Sequence, residues 1–194
     1  MIGYLGPEGS YSYYAGATFY VKEELVPYNN IGRLFYALEQ DEVTGIVLPF
    51  ENMKDGTSFD VLGRVHTHHY HISKEILLEI VLSVVSSGYD PKQIQEIYAT
   101  EHSVNECYNT LKKELGKYVK KFVNTNKQAM NAITQAQTEH VGAVLSNFEM
   151  LDEFHVVVSD IRDSLENTHK FVLIEKNLKV NGLHNRTLIV CEPQ

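Results

Sequence analysis

The stretch "HISKEILLEIVLSVVSSG", residues 71–88, is a long run of apolar and β-branched residues near the middle of the chain. It is longer than an ordinary strand, so it is suited to crossing from one lobe of the protein to another. We place this crossing near Ile80. We expect a later strand, "NTHKFVLIEK" at residues 167–176, to return the chain to the first lobe. Two crossings predict a hinged pair of α/β lobes with a cleft between them.

On both sides of this run, a short apolar strand is followed by a polar turn and a helical segment. The strands are "IGYL" (2–5), "TGIVLPF" (44–50), "IQEIYAT" (94–100) and "KKFVN" (120–124). The residues predicted to begin the helices are Ser10, Thr57, Ser103 and Thr125, the last three with the capping-box partners Asp60, Glu106 and Gln128. This alternation predicts parallel β–α units, in which ligands bind at the carboxyl ends of the strands. Helix N-termini at those ends favour a small anionic ligand that carries carboxylates.

The composition excludes several classes of protein. The 194 residues carry a formal net charge of −8, and a nucleic-acid surface needs clustered Lys and Arg instead. No apolar run is long enough to span a membrane, and the N-terminus lacks the basic region of a signal peptide. Only two cysteines occur, so a disulfide framework is not expected. We therefore expect a cytoplasmic protein without nucleic-acid or membrane partners.

Two other features resemble functional sites but have simpler explanations. The histidine-rich segment "HTHHYH" (66–71) lacks nearby cysteines and has few carboxylates, so we interpret it as a surface loop and predict no metal site. Cys107 lies on a predicted helix with no adjacent base, which favours buried packing over a reactive thiol.

Five motifs resemble the prephenate dehydratase family, in the same order along residues 1–176. They are "GPEGSYSYYA" (6–15), "VLPFENMKDGT" (47–57), "IYATEHSVNEC" (97–107), "VNTNKQAM" (123–130) and "DIRDSLENTHKF" (160–171). In the third motif, Ala99 and Thr100 stand where the family has Ser-His. The resemblance implies a two-lobed type 2 periplasmic-binding-protein-like α/β fold with the active site in the inter-lobe cleft. It assigns residues 1–79 and 167–182 to lobe 1, and residues 80–166 to lobe 2.

For residues 183–194, the resemblance implies a linker or a remnant of the first strand of an ACT domain, the module that senses phenylalanine in the family. Feedback control by a complete domain of that kind is therefore not expected. The family's dehydratase domains commonly pair, so a homodimer or higher homo-oligomer is expected.

The resemblance also implies an activity, the conversion of the dicarboxylate prephenate to phenylpyruvate with loss of CO2 and water, in phenylalanine biosynthesis. This reaction needs no metal or organic cofactor. The substrate-binding residues implied by the matching motifs are Ser10, Tyr11, Ser12, Asn52, Asp55, Gly56, Thr57, Thr125, Asn167 and Phe171.

The sequence departs from the family at the Thr-Arg-Phe triplet, where the Thr assists loss of the hydroxyl and the Arg binds a carboxylate. His169 and Lys170 stand at these positions. An imidazole with a pKa of ~6.5 can protonate a leaving group, and Lys170 keeps a positive charge without the bidentate fork of Arg. Thr168 is displaced by one position, to the opposite face of a strand. The candidate catalytic residues are therefore His169, Thr168 and Lys170.

Other interpretations stay open. His169 and Lys170 could be exposed residues at a strand edge. The protein could be a related prephenate decarboxylase that retains the hydroxyl. It could also be a catalytically degenerate module that binds or senses carboxylates.

Overall fold

Residues 71–88 form two consecutive strands that belong to different sheets, with buried Ile80 between them. The computed structural model describes residues 1–52, 56–148, 154–164 and 168–177. The predicted return segment is also a strand, and it pairs within the first sheet. The chain thus passes from the first sheet to the second after Glu79 and back at Thr168. We call the parts built on these sheets the first lobe and the second lobe.

Within the described residues, the first lobe contains three helices and six strands. In chain order, these elements are β1 (Ile2–Leu5), α1 (Tyr11–Phe19), β2 (Leu25–Tyr28), α2 (Ile31–Glu39), β3 (Gly45–Asn52), β4 (Gly56–Thr57), α3 (Phe59–Thr67) and β5 (His71–Glu79), followed after the second lobe by the sixth strand, which spans Thr168–Glu175.

The described part of the second lobe also contains three helices, with five strands. These elements are β6 (Leu82–Ser86), β7 (Glu96–Ala99), α4 (Glu101–Glu106), α5 (Tyr108–Leu115), β8 (Val119–Phe122), α6 (Asn126–Ala136), β9 (Val141–Ser146) and β10 (His155–Val158). The returning strand Thr168–Glu175 is therefore β11. Short 3-10 turns at Lys22–Glu24 and Pro91–Gln93 complete the helical elements of the described residues.

Each sheet is mixed, with a parallel part and an antiparallel part. The first sheet has the order β2-β1-β3-β11-β5, with β4 paired to β3, and the second has the order β10-β6-β9-β7-β8. The parallel pairs β1–β3 and β7–β8 join strands that the strand–turn–helix pattern predicted. β2 and β9, which pair parallel with β1 and β7, were not among the predicted strands. The strands that carry the chain between the sheets, β5, β6 and β11, pair antiparallel with their neighbours. The chain therefore has a two-sheet α/β architecture, as the resemblance implied.

Both sheets are covered by helices on two faces, which makes each lobe three layers thick. In the first lobe, Tyr4, Ala15 and Phe171 belong to one apolar cluster, and residues of α2 and α3 form a second cluster against Ile46 and Leu48. In the second lobe, α4 and α5 pack in one cluster and α6 in another. Burial of these side chains contributes about 25 cal/mol per Å² of apolar surface removed from water.

A buried arginine braces the point where the chain crosses between sheets. The side chain of Arg162 is 5% exposed, and its guanidinium contacts Asp160 at 2.6 Å and Glu79, at the end of β5, at 3.2 Å. The side-chain hydrogen bond from Arg162 is the largest cause of a lowered pKa for the Asp160 carboxyl. Asn147 adds a second brace, because its Oδ1 accepts a hydrogen bond from the backbone N–H of Val81 at 3.0 Å.

Two of the four predicted helix starts are confirmed, and two are wrong. Ser10 and Thr125 cap α1 and α6. Thr57 does not cap α3, because it is drawn into β4 opposite Glu51, and the helix begins one residue later than predicted, with Ser58 at the N-cap.

The other wrong start concerns α4. Ser103 lies inside this helix, and Thr100 is its cap. The hydroxyl of Thr100 accepts the N–H of Ser103 at 3.2 Å, so an alternative hydroxyl three residues upstream wins the capping position.

The histidine-rich segment is exposed but is not only a loop. His66 lies in the last turn of α3, His68 and His69 follow it, and His71 begins β5. Among the described residues, no helix is both long and apolar enough to cross a membrane.

Candidate active site

A cleft with a volume of about 540 Å³ lies between the two lobes. The first lobe contributes the turn between β1 and α1 together with the first residues of α1. The second lobe contributes the start of α4, the start of α6 and Phe148. The cleft is therefore lined by the segments that follow the carboxyl ends of β1, β7 and β8, as expected for an α/β fold.

Three helices direct their N-termini at this cleft. Ser10 accepts the N–H of Tyr13 at 3.3 Å at the start of α1 and donates its hydroxyl to the carbonyl of Leu5 at 2.9 Å. Thr100 and Thr125 begin α4 and α6 with equivalent caps. The remaining N–H groups and the partial positive charge of the helix ends favour an anion in this volume.

The charged side chains in the lining also favour an anion. Lys22 and Lys127 contribute two ammonium groups, and His102 contributes an imidazole, whereas Glu8 is the carboxylate of the lining. The Nζ atom of Lys22 lies 5.8 Å from the ring centroid of Tyr13, which forms part of the wall. The cleft is thus a local positive site on a chain of net charge −8.

Aromatic rings join the two lobes across the cleft. Phe148, which follows β9, stacks on Tyr14 of α1 with ring centroids 5.1 Å apart, and it meets Tyr11 edge-on at 6.2 Å. Aromatic pairs at such distances are worth about 0.5–1.5 kcal/mol beyond their buried area. This aromatic contact gives the cleft an apolar side next to its cationic side.

His169 lies in the layer that supports the cleft wall. Its side chain is buried, and its ring centroid is 6.4 Å from that of Tyr11 and 6.0 Å from that of His102, both lining residues. In the first sheet, His169 pairs in register with Asn52 of β3. The interpretation of His169 and Lys170 as exposed strand-edge residues is wrong, because β11 lies between β3 and β5.

The two neighbours of His169 are oriented differently. The ammonium group of Lys170 donates a hydrogen bond to the Glu51 carboxylate, so its charge is balanced within the first lobe. Thr168 and Lys170 are half-buried, whereas His169 and Phe171 are buried, which is the alternation expected along a strand.

The sequence-predicted substrate contacts divide into two groups. Ser10, Tyr11 and Thr125 line the cleft. Asn52, Gly56 and Thr57 lie at the paired ends of β3 and β4, and they are not part of this lining. Gly56 has a φ of 74°, a left-handed conformation that favours glycine. The backbone alone therefore accounts for a glycine at this position, without any contact to a ligand.

Two more of the predicted contacts also lie outside the lining of the cleft. Ser12 is buried, and Phe171 is 2% exposed in the apolar cluster beneath α1. The expectation that Phe171 contacts substrate is therefore not met in this structure, because its ring is part of the core. Asp55, Asn167 and residues 183–194 lie outside the described residues.

Sequence reasoning missed four residues at the site: Lys22, His102, Glu106 and Lys127. One local signal was available for two of them. His102 and Glu106 are four residues apart, so they share one face of a helix, and their Nε2 and Oε1 atoms are 3.5 Å apart. Lys127 also lies within a quoted motif, at residues 123–130, whereas nothing in the local pattern separates Lys22 from solvent-facing lysines.

Cys107, at the end of α4, is not a reactive group. Its Sγ donates a hydrogen bond to the carbonyl of Ser103 at 2.8 Å, and burial raises the pKa of the thiol to about 12, with smaller contributions from Asp163 and Glu106. The predicted buried packing of Cys107 is confirmed.

Comparisons with known proteins agree with this geometry. A prephenate dehydratase of Bacillus subtilis (strain 168) is 25% identical over 209 residues, which cover 100% of this chain and 73% of that protein. The crystal structure of the prephenate dehydratase from Staphylococcus aureus subsp. aureus Mu50 superimposes with a TM-score of 0.75 at 22% identity, covering 92% of this chain and 67% of that one.

A third protein shows why the fold alone does not determine the activity. A structure described as a novel type of quorum-quenching acylase, GqqA, superimposes with a TM-score of 0.69 at 16% identity, covering 92% of this chain and 65% of that one. Related folds commonly carry different chemistries. The family, however, is decided by sequence: the prephenate dehydratase family model matches residues 2–179. The chain belongs to the prephenate dehydratase family.

Proposed function

We propose that this protein converts prephenate to phenylpyruvate, as a carbon–oxygen lyase of phenylalanine biosynthesis. The observation that carries the proposal is the convergence of three helix N-termini and two lysines on one cleft in a member of this family. A dicarboxylate is the kind of ligand that this charge distribution favours.

The reaction requires one proton and two bond cleavages. The bond between the ring carbon and its carboxylate breaks, CO2 leaves, and the electron pair enters the ring. The bond to the 4-hydroxyl breaks at the same time, and the hydroxyl takes up a proton and leaves as water. The ring gains its third double bond, so the products are phenylpyruvate, CO2 and water.

Binding and chemistry use different parts of the cleft. Lys22 and Lys127 pair with the two carboxylates of the substrate, and the ring of the substrate lies against the aromatic contact of Tyr11, Tyr14 and Phe148. Charge-assisted hydrogen bonds of this kind contribute roughly 1.5–3 kcal/mol each.

We assign the proton transfer to His169. It occupies the position of the family's threonine, and it contacts the cleft through Tyr11 and His102. A positioned general acid contributes about 10²–10⁴-fold to a rate. Lys170 has a supporting role, because its ion pair with Glu51 fixes β11 against β3 next to His169.

A second activity has one observation in its favour. Thr168 and Lys170 lie on the opposite face of β11 from His169, so neither places a hydroxyl or a cation on the buried side that His169 occupies. A prephenate decarboxylase that keeps the hydroxyl would use the same carboxylate site, but it would deliver its proton to a ring carbon, which takes up the electron pair left by CO2, and not to the hydroxyl.

The decisive experiment incubates the purified full chain with prephenate at neutral pH, beside a protein-free blank. Phenylpyruvate is measured by its absorbance in alkali, and the product mass is determined. The proposal expects phenylpyruvate above the blank. A product that has lost CO2 but retained the water identifies the decarboxylase instead.

A third outcome would reject both enzymes. Thermal stabilisation by prephenate or phenylpyruvate without any turnover indicates a carboxylate-binding module. Light scattering of the same preparation checks the predicted homodimer or higher homo-oligomer.

A further inference from the structure

We propose that His102, Glu106 and His169 form a binding site for a divalent transition-metal ion, with Zn²⁺ as the preferred ion. The three side chains offer one ligand atom each, and these atoms all lie within 4.8 Å of one another. In the described parts of the chain, no other three histidine, cysteine or acidic side chains bring their ligand atoms this close together.

The first two ligands come from one turn of α4. His102 and Glu106 are separated by four residues, so both side chains project from the same face of the helix. The distance of 3.5 Å between Nε2 and Oε1 is close to the separation of about 3.3 Å between neighbouring ligands in a tetrahedral zinc site with bonds of about 2.0 Å.

The third ligand comes from the other lobe. His169 is on β11, and its ring meets that of His102 nearly edge-on, at 86° and 6.0 Å between centroids. The remaining ligand distances shorten to tetrahedral values by movements of less than about 2 Å, which side-chain rotation provides. A bound ion would therefore connect the two lobes at the edge of the cleft.

The surroundings match an ion with an open coordination position. Glu106 and His169 are sheltered, with an exposed fraction of 11% for the Glu106 side chain, whereas the His102 side chain is 55% exposed and lines the cleft. Three protein ligands with a fourth position left for water or a ligand are typical of zinc sites that are not purely structural. Two imidazoles and one carboxylate suit Zn²⁺, whereas Mg²⁺ and Ca²⁺ prefer oxygen ligands alone.

His102 lines the cleft, so an anionic ligand in the cleft would lie next to the proposed ion. The proposed dehydration needs no metal, but it uses His169 as well. The two uses compete, because an imidazole nitrogen that coordinates zinc cannot also carry a proton. Zinc should therefore inhibit turnover if His169 is the proton donor.

The test is isothermal titration of Zn²⁺ into the full chain, freed of metal with a chelator. We expect one tight site, whose affinity falls more than about tenfold in His102→Ala and in Glu106→Gln, since loss of even an outer-shell partner costs 10–100-fold. His102 is exposed, so its replacement leaves the fold intact, whereas His169→Ala is checked for folding by circular dichroism before it is titrated.

Two controls separate this site from surface binding. Glu101→Gln removes the same charge from the same helix and should leave the affinity unchanged. A variant with alanine at His66, His68 and His69 removes the exposed histidine-rich segment and should also retain the site.

The proposal is overturned if no stoichiometric site is found. It is equally overturned if the site survives both His102→Ala and Glu106→Gln, or if it is lost with the three exposed histidines. Because the titration does not depend on turnover, zinc binding by a protein without dehydratase activity rejects the proposed function alone, and turnover without zinc binding rejects the metal site alone.

Discussion

The two walls of the cleft differ in how their polar groups are used. In the first lobe, the Ser10 hydroxyl bonds to Leu5 and Tyr13, and the Lys170 charge is balanced by Glu51. The second lobe presents two helix N-termini, an imidazole and Lys127 to the cleft. The motifs that resemble the family lie on both lobes, and most of the cleft lining falls within them. Lys22 and Phe148 are the lining residues outside the motifs.

The largest expected effect is on kcat, and it concerns His169, which lies on the first lobe next to His102 of the second. Replacing His169 with alanine should lower kcat by about 100-fold or more, because the proposed proton donor is lost. The measurement is phenylpyruvate formation at saturating prephenate. His140→Ala, which changes an exposed histidine in the turn before β9, serves as the matched control and should retain full activity. Unchanged turnover in His169→Ala would remove His169 from the mechanism.

The next effect is on KM, and it compares one lysine from each wall of the cleft. Lys127→Ala should raise KM for prephenate by about tenfold, since one charge-assisted contact of about 1.4 kcal/mol is lost. Lys170→Ala should raise KM less, because this lysine already pairs with Glu51. KM is measured for both variants and for the unchanged protein at low and high salt. Salt screens exposed charges more than buried ones, so the KM difference caused by Lys127→Ala should shrink more at high salt than the difference caused by Lys170→Ala. A larger increase in KM for Lys170→Ala than for Lys127→Ala would mean that Lys170, and not Lys127, contacts a carboxylate of the substrate.

A smaller effect concerns the brace between the lobes. Arg162→Ala should reduce the free energy of unfolding by about 1–2 kcal/mol at pH 7, a typical loss for a broken ion-pair network. Because the pKa of Asp160 is lowered in the folded protein, its pairing stabilises the fold above the unfolded pKa of about 3.9, and this contribution is lost as the pH falls through the lowered folded pKa.

Urea unfolding of Arg162→Ala and of the unchanged protein at pH 7 and pH 3 checks this sign. The difference between the two proteins should shrink at the lower pH. A difference that grows on acidification contradicts the role of the Asp160 pair. Arg64→Ala, which breaks an exposed pair with Asp60 on α3, is the matched control with a loss near 0.5 kcal/mol or less.

The smallest expected effect is on thiol labelling: Cys107, which is buried in the second lobe, should not react in the folded protein. With a pKa of about 12, Cys107 is ionised in only about one molecule in ten thousand at pH 8, and the thiolate is the reactive form. A maleimide or iodoacetamide should therefore leave the peptide that contains Cys107 unlabelled in the folded protein and label it in urea, as read by mass spectrometry. Rapid labelling without urea would mean that α4 opens readily.

The sequence predicted the parts of the fold that depend on neighbouring residues. The strand–turn–helix alternation and the caps at Ser10 and Thr125 follow from local patterns, and so does the division of residues 71–88 between two sheets. Where two hydroxyl residues competed for a cap, local pattern was insufficient. Thr57 was lost to strand pairing with Glu51, and Ser103 was displaced by Thr100.

The candidate site was predicted less completely, because it depends on how distant segments pack. Thr125 and Tyr11 were identified from motifs, and both line the cleft. The grouping of His102 and Glu106 with His169 arises only when β11 returns to the first sheet and places its residues beside α4. No local pattern reports that packing, whereas the histidine-rich segment at residues 66–71, obvious in sequence, is spread over a helix end and a turn.

The position of β11 also has a consequence for synthesis of the protein. The second sheet is built entirely from strands between Leu82 and Val158, so all of its strands are synthesised before β11. The first sheet lacks its strand between β3 and β5 until residue 175 emerges, although most of its other strands are made first. Non-local pairings of this kind slow folding. The first lobe is therefore begun first but completed last, because β3 and β5 gain the strand between them only after β11 has been made.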